Sequence, residues 1–173
     1  MKKVKLVIAS DCHQDIYGMD LIVENEKDAD YFLDLGDNFC GMEPSDEYYN
    51  TWLSVRGNND GPFAPYRKDL NIFHKNIRMV HGDRLIWDYP TSNEMFDYMK
   101  EEGVDILLFG HTHRMLYCEQ KNHNEKVERV LLNPGSIGES RDYELFMKDL
   151  GSYCILTIYE DGTIEHKFKT QHI

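Results

Sequence analysis

Near its start the chain reads VKLVIASDCH over residues 4–13, a short, mostly apolar run that ends in two residues able to carry chemistry. Val4 to Ser10 is compact, apolar and β-branched, which is typical of a buried strand. Asp11 and His13 follow at once, where the strand ends and a loop begins. This stretch predicts a sheet whose strand end holds functional side chains.

The same pattern recurs along the chain. Four later apolar runs, at residues 31–35, 52–55, 77–80 and 104–109, also end in Gly-containing polar loops. The candidate residues that these five loops deliver are Asp11, His13, Asp37, Asn58, His81, His111 and His113. In open α/β sheets, loops at the carboxyl ends of strands gather ligands at one edge. We therefore expect all seven side chains to meet.

The remaining elements indicate how the sheets are covered. Apolar spacing predicts helices at residues 19–27, 45–49 and 92–102, with Ser45 as a possible N-cap. Hairpins are predicted within residues 71–80, between 115–120 and 126–132, and between 152–159 and 163–169. Helices alternate with strands early and hairpins come late, so we expect an α/β fold of mixed sheets with helices outside. Residues 1–173 show no linker and are predicted to form one domain.

Charge and hydropathy restrict the partners. The formal net charge is -12, from 31 acidic and 19 basic residues, so most of the surface would repel polyanions and extended nucleic acid is not expected as a partner. A local cation cluster would still attract a single phosphate, because a bound divalent ion dominates its surroundings. The N-terminal apolar run meets Asp11 too early for a signal peptide, and no stretch has transmembrane length, so no membrane partner is expected.

Cysteine usage indicates the compartment. The four cysteines are scattered without a CxxC pair, at positions 12, 40, 118 and 154. This pattern does not resemble a secreted disulfide framework. We therefore expect a cytoplasmic protein.

The donor set points to metal chemistry. Carboxylate, carboxamide and imidazole groups together suit first-row divalent metals such as manganese, iron, nickel and zinc, whereas calcium sites use fewer imidazoles. Two such ions about 3.5 to 4 Å apart can hold a phosphoryl oxygen, activate a bridging water and stabilise the leaving oxygen. Hydrolysis of a phosphoester is the chemistry that such a centre favours.

The motifs also occur in a familiar order. They are Ser10-Asp11-Cys12-His13, Gly36-Asp37-Asn38, Gly57-Asn58-Asn59-Asp60, His81-Gly82, Gly110-His111-Thr112-His113 and Asn133-Pro134-Gly135-Ser136. Together they span residues 10–136, and the chain resembles the calcineurin-like metallophosphoesterase family. Its short length is similar to that of the small prokaryotic YfcE-like phosphodiesterase branch. Each motif alone is weakly specific, but the ordered set is strongly specific.

The resemblance implies a fold and a site. The fold would be a four-layer α/β/β/α sandwich with two mixed β-sheets. One ion would be held by Asp11, His13, Asp37 and His113, and the other by Asp37, Asn58, His81 and His111. A hydroxide bridging the ions would attack phosphorus, with His111, Asp37 and Asn58 as the catalytic residues and His111 stabilising developing charge. Manganese is the expected metal, with iron, nickel or zinc as alternatives.

Two positions depart from the family pattern. Many members have a histidine after the motif asparagine that protonates the leaving group, but Asn59 occupies this position and cannot act as a general acid at neutral pH. The small phosphodiesterase branch commonly lacks that histidine too, so Asn59 favours substrates whose leaving group needs little protonation. The second departure is Asp83, which stands where a histidine often follows His81-Gly82.

Several residues have an ordinary structural interpretation as well. The other histidines, at positions 74, 123, 166 and 172, lack a motif context and are assigned to solvent or hairpin positions. Arg56 and Arg141 are open between phosphate contact and surface ion pairing. Asp60 either supports a ligand loop or caps a turn.

The leading hypothesis is a dinuclear-metal hydrolase that cleaves small phosphodiesters. The alternatives are a phosphomonoesterase, or a noncatalytic interaction scaffold such as the family's retromer subunit, which has lost part of its metal constellation. A nuclease acting on long polymers does not suit the acidic charge balance, whereas small nucleotides and other compact diesters remain open as substrates. The physiological substrate, the native metal and the oligomeric state stay open, with a homo-oligomer as one possibility.

Overall fold

The computed structural model describes residues 1–172, which form ten strands and five helices. In chain order these are β1 (Lys3–Ala9), α1 (Ile16–Asn25), β2 (Tyr31–Asp34), α2 (Asp46–Thr51), β3 (Trp52–Ser54), β4 (Arg67–Ile72), β5 (Lys75–Val80), α3 (Leu85–Asp88), α4 (Ser92–Glu102), β6 (Ile106–Leu108), β7 (Met115–Lys121), β8 (Val127–Pro134), α5 (Tyr143–Met147), β9 (Leu150–Tyr159) and β10 (Ile164–His172).

The strands form two mixed sheets of five strands each. The first sheet has the order β10-β9-β1-β2-β3, and the second has the order β4-β5-β6-β8-β7. In the first sheet β1 runs parallel to β2 and antiparallel to β9, with Ile8 opposite Leu33 and Cys154. In the second sheet β6 runs parallel to both β5 and β8. The parallel central strands therefore end at a common edge of each sheet.

Alternation along β1 explains how the layers stack. Leu6 and Ile8 belong to the core between the two sheets, whereas Val7 and Ala9 face the helices on the outside, because successive side chains of a strand point to opposite faces. All four side chains are fully buried. A strand buried on both faces needs an apolar residue at nearly every position, which is the pattern that residues 4–10 show.

The helices supply the outer layers. Met19 and Ile22 of α1 pack on the outer face of the first sheet. Phe96 and Met99 of α4 pack with Leu107 on the outer face of the second sheet. The architecture is the expected four-layer α/β/β/α sandwich, and the prediction of the fold class is confirmed. No helix within residues 1–172 is long and apolar enough to cross a membrane.

Local capping explains where the helices begin. α4 has the predicted bounds, because Thr91 and Glu94 form a reciprocal capping box and Gly103 ends the helix in a left-handed conformation. The predicted N-cap role of Ser45 in α2 is confirmed. The expected helix at residues 19–27 instead starts at Ile16 and ends at Asn25, since the Asp15 carboxylate accepts from the Gly18 N–H and sets an earlier start.

Candidate metal centre

Backbone hydrogen bonds connect the five loops where the parallel strands end. The Asp11 N–H donates to the Gly36 carbonyl at 2.9 Å, and the His13 N–H donates to the Asp37 carbonyl at 3.0 Å. The Gly110 N–H donates to the His81 carbonyl at 2.7 Å. Two further backbone N–H groups donate to ligand carboxylates, that of Asn59 to Asp37 at 2.8 Å and that of His111 to Asp11 at 2.9 Å, so all five loops are linked in one rim.

Two groups of side chains converge on this rim. In the first, Asp11 Oδ1 lies 3.3 Å from His113 Nε2 and 3.9 Å from His13 Nε2. The two imidazole nitrogens of His13 and His113 are themselves 3.1 Å apart. These three donor atoms all lie within 4.8 Å of one another, a spacing that allows them to share one ion.

The second group is built from Asp37, His81 and His111, whose donor atoms also lie within 4.8 Å of one another. Asp37 Oδ2 is 3.3 Å from His81 Nε2, and His81 Nε2 is 3.2 Å from His111 Nδ1. The Asn58 side-chain oxygen adds a further donor 3.1 Å from His111 Nδ1. Asp11 Oδ1 is 3.9 Å from His81 Nε2, so the two groups are adjacent. The structure thus brings all seven sequence-predicted side chains together.

Backbone carbonyls orient two of the histidines. Nδ1 of His81 lies 2.7 Å from the Leu35 carbonyl, and Nδ1 of His113 lies 2.7 Å from the Glu139 carbonyl. A carbonyl only accepts, so each Nδ1 must carry the proton. In the neutral ring, Nε2 then presents its lone pair to the centre. Carbonyl-oriented imidazoles of this kind are characteristic of metal ligands.

One carboxylate oxygen is left for an ion. Asp11 Oδ2 accepts from the Ser10 hydroxyl at 2.6 Å and from the His111 N–H at 2.9 Å. Asp11 Oδ1 is buried and has no hydrogen-bond partner among residues 1–172. A buried carboxylate oxygen without a hydrogen bond is costly, and Nε2 atoms of three histidines lie 3.3 to 3.9 Å from it. The residues present therefore fit a divalent metal.

Backbone conformation at the ligand positions is unusual. Asp11, His13, Asp37, His111 and His113 all have positive φ, between 46° and 67°. Residues other than glycine rarely adopt this region, and such strain persists where the surrounding structure holds it for function. Five of the seven candidate ligands share this conformation. Directing these side chains toward the cluster therefore comes with backbone strain.

Two glycines permit the close approach of the loops. A Cβ added at Gly57 would lie 2.1 Å from Asp37 Oδ1, and one added at Gly110 would lie 2.1 Å from the Ser10 hydroxyl oxygen. No real side chain tolerates such distances. These turn glycines are therefore required by the site geometry itself.

Asp60 joins the loops through its carboxylate. Its Oδ2 accepts from the N–H groups of Asp37 and Gly57 at 2.7 and 2.9 Å. Its Oδ1 accepts from the N–H groups of Asn38 and Phe39, both at 3.1 Å. Of the two interpretations of Asp60, the geometry favours support of a ligand loop.

Neighbouring charges shift the pKa values of three candidate ligands, and an ion would bind the imidazoles only in their neutral form. Burial lowers the pKa of His81, but the hydrogen bond to Asp37 and the charges of Asp11 and Asp37 outweigh burial and raise the pKa to about 9. Burial raises the pKa of Asp37, but His81 and the Asn59 N–H groups bring it well below its usual value. Burial and the neighbouring charge of His81 lower the pKa of His111.

The positions left open by the sequence have distinct places. The Asn59 backbone and side-chain N–H groups both donate to Asp37, at 2.8 and 2.7 Å. Asp83 lines a cleft beside His111. Arg56 donates from Nε to the Asp60 carbonyl at 3.3 Å, and Arg141 is exposed in a separate cleft that also reaches His111.

Sequence reasoning missed a buried pair behind the site. The Asn38 side-chain oxygen accepts from the Cys12 N–H at 2.9 Å, and its amide donates to Asp34. Burial raises the pKa of Asp34 to about 7, although hydrogen bonds from Gly36 and Asn38 act against this. The only sequence signal was Asn38 within the Gly36-Asp37-Asn38 motif, since Asp34 looks like a strand residue. Through Asn38, the pair links the loop that carries Asp37 to the loop that carries Asp11 and His13.

Comparison with solved structures shows a shared fold. A protein from Streptococcus pneumoniae TIGR4, described as a predicted phosphoesterase, superposes with a TM-score of 0.73 at 19% identity, covering 98% of this chain and 99% of that chain. The Entamoeba histolytica Vps29 complexed with Zn²⁺ gives 0.66 at 20% identity over 96% and 99%. The E. coli phosphoesterase YfcE gives 0.60 at 20% identity over 95% and 98%. At these identities the likeness concerns the fold alone.

Sequence comparison identifies the family. A protein of Methanocaldococcus jannaschii, whose description assigns it to the metallophosphoesterases, is 34% identical over 86 residues. The match spans 49% of this chain and 40% of that protein, well under two thirds of the relative's length. The profile of the calcineurin-like phosphoesterase superfamily domain matches residues 4–161, nearly the whole chain. The chain therefore belongs to the calcineurin-like phosphoesterase superfamily.

Proposed function

We propose that this chain is a metal-dependent phosphodiesterase that hydrolyses small phosphodiesters at a dinuclear centre. The observation that carries the proposal is the convergence of two donor groups around the unpaired, buried Asp11 Oδ1. Manganese is the proposed metal, because mixed imidazole and oxygen donors suit it, with iron, nickel and zinc as alternatives. Membership of a phosphoesterase superfamily supports the reaction class.

The ligands divide between two ions. Asp11, His13 and His113 would hold one, and Asn58, His81 and His111 would hold the other, with Asp37 shared between them. When bound, two divalent ions lower the pKa of a water between them and offset charge on phosphoryl oxygens.

The chain's own groups orient the substrate around the ions. His111 is half-buried at the cluster edge, and its Nδ1 faces Asn58 and His81. In its neutral form the His111 ring can bind through the lone pair of its unprotonated nitrogen. Asn58 is exposed and presents its amide to the same region, where it can contact a phosphoryl oxygen as well as an ion. Both residues belong to the proposed catalytic set with Asp37.

The absence of a motif histidine favours diesters with good leaving groups. Asn59 donates two hydrogen bonds to Asp37, so its amide holds the proposed bridging carboxylate. An amide cannot supply a proton to a leaving alkoxide at neutral pH. Substrates whose leaving oxygen is already a weak base are therefore expected to react fastest.

Hydrolysis of bis(p-nitrophenyl) phosphate tests the proposal. We expect the manganese-loaded chain to release p-nitrophenolate and the metal-free chain to be inactive. His81→Ala should lower the rate at least about 100-fold. The substitution removes a proposed metal ligand, and with it electrostatic stabilisation of the transition state. His123→Ala is the matched control, because His123 lies exposed in the turn between β7 and β8. A folded, metal-loaded chain without activity would contradict the proposal.

A noncatalytic scaffold is the second candidate. The chain shares its fold with Vacuolar Protein Sorting 29 proteins as well as with phosphoesterases, which supports keeping this alternative. Metal binding without hydrolysis of any diester or monoester would support it. A rate for p-nitrophenyl phosphate that exceeds the diester rate would instead support a phosphomonoesterase.

A further inference from the structure

A cleft of about 480 Å³ opens beside the candidate metal centre and carries an exposed indole in its wall. It is lined by Asn58, Asp83, Arg84, Trp87, Asp88 and His111. Asn58 and His111 are candidate ligands, so the cleft adjoins the position of a bound phosphoryl group. Trp87 is 84% exposed, which leaves its aromatic faces open to a ligand.

The short helix α3 positions Trp87 in the wall of the cleft. The helix α3 begins three residues after the ligand loop His81-Gly82, and the Ile86 N–H donates to the Gly82 carbonyl at 3.1 Å. Leu85 is buried in the cluster that includes Phe96 and Phe109, so it anchors the turn. The same helix therefore ties a ligand loop to an exposed aromatic ring.

The charged groups of the wall are one arginine and two aspartates. The Arg84 guanidinium lies 5.1 Å from the centre of the Tyr66 ring, a cation–π contact that restrains the arginine. Asp83 and Asp88 place two carboxylates in the same cleft. One cation against two anions does not favour a second phosphate, whereas carboxylates accept from N–H groups. A planar, uncharged group with N–H donors suits this wall.

We propose that this cleft binds the nucleobase arm of a phosphodiester, with the base stacked on Trp87 and its N–H groups facing Asp83 and Asp88. The proposal rests on the proposed phosphodiesterase function and names the substrate class of that site. Stacking on an aromatic side chain requires only a π-face, so it tolerates different bases. The carboxylates would favour bases with amino groups.

Binding of two phosphate monoesters that differ in the base tests the inference. Adenosine 5′-monophosphate and ribose 5-phosphate share the sugar and the phosphate, and their dissociation constants are measured by calorimetry on the manganese-loaded chain. We expect the nucleotide to bind about tenfold more tightly, in the range typical of one base stacked on one aromatic ring. Trp87→Ala should bring the two constants together, whereas Trp87→Phe should retain most of the preference.

Tyr31→Ala is the matched control, since Tyr31 is 45% exposed at the amino end of β2, opposite the end that leads to Asp37. It should leave the ratio of the two constants unchanged. Absence of nucleotide binding, equal constants in the unmodified chain, or a ratio that survives Trp87→Ala would each overturn the inference. Hydrolysis of bis(p-nitrophenyl) phosphate is scored separately: an active chain without base preference contradicts the inference alone, and an inactive chain contradicts the proposed function.

Discussion

Asp60 shows how a residue outside the donor groups can control the site. Its carboxylate accepts four backbone N–H groups, from the loops that carry Asp37 and Asn58. A carboxylate can satisfy four donors, whereas a carboxamide turns one of its two ends into a donor. The position of two ligand loops therefore depends on a negative charge at this residue.

Asp60→Asn is expected to weaken both folding and metal binding. Its amide N–H₂ would face backbone N–H groups, so we expect the free energy of unfolding to fall by about 1–3 kcal/mol. Displaced support of metal ligands typically lowers metal affinity about 10- to 100-fold. Denaturant unfolding of the metal-free chain and manganese calorimetry measure the two effects. Asp161→Asn is the control, because Asp161 accepts one N–H, from Thr163, in an exposed hairpin turn. Equal losses of stability and of manganese affinity in both variants would refute the role of Asp60.

Asn59→His is expected to change leaving-group preference. A histidine at this position would place a proton donor beside the centre, and general acid catalysis contributes most where the leaving oxygen is basic. We expect the rate for an alkyl leaving group, relative to p-nitrophenolate, to rise by about tenfold or more. Rates measured for methyl and p-nitrophenyl esters check this. An unchanged ratio in a folded, metal-loaded variant would show that Asn59 does not determine the preference.

At the scale of elements, Glu26 fastens α1 to the first sheet. It is 2% exposed and directly follows α1, where it accepts from Lys5 of β1 at 2.9 Å and from the Tyr153 hydroxyl of β9 at 2.8 Å. Lys169 of β10 donates to it as well. One buried carboxylate thus joins a helix to three strands.

Glu26→Gln is expected to destabilise the chain in a pH-dependent way. Burial raises the pKa of Glu26, but the hydrogen bonds from Lys169, Lys5 and Tyr153 outweigh it and bring the pKa below its usual 4.5. The carboxylate therefore contributes stability above about pH 4.5, and this contribution is lost as the pH falls through the lower folded-state pKa. Near pH 7 the loss should be about 1–2 kcal/mol, because the two lysines are partly exposed and Lys5 keeps its contact with Asp28.

Urea unfolding at several pH values measures the difference between the two chains. The stability gap should narrow below pH 4.5, and a gap independent of pH would contradict the role assigned to the ion pairs. Glu24→Gln, on the exposed part of the same helix, should change little at any pH.

Elements differ in how far sequence patterns predict them. β1 and α4 are predictable because a continuous apolar run and a helical repeat with a capping box are local signals. The two short helices α3 and α5 were missed, since 4 and 5 residues are too few for a period to show. Trp87, which lies in α3, was missed as well. Its proposed role in binding follows from the cleft that it lines, and this cleft exists only in the folded chain.

At the scale of the whole molecule, the ordered motifs located the candidate ligands, but their meeting depends on topology. β1, β2 and β3 lie in one sheet and β5 and β6 in the other, so the centre forms only where both sheets end together. Sequence spacing could not show that His13 and His113, 100 residues apart, would bring their ring nitrogens within 3.1 Å. The tautomers of His81 and His113 likewise follow from backbone carbonyls that only the folded chain positions.

The central claim is that two ions, held by both sheets together, are required for diester hydrolysis. The most direct test is the rate of bis(p-nitrophenyl) phosphate hydrolysis as a function of the manganese bound per chain, counted by elemental analysis. The account predicts little activity up to one ion per chain and a steep rise as occupancy approaches two, with Asp37→Ala unable to reach two. Full activity at one ion or none, or an inactive chain that holds two, would contradict it.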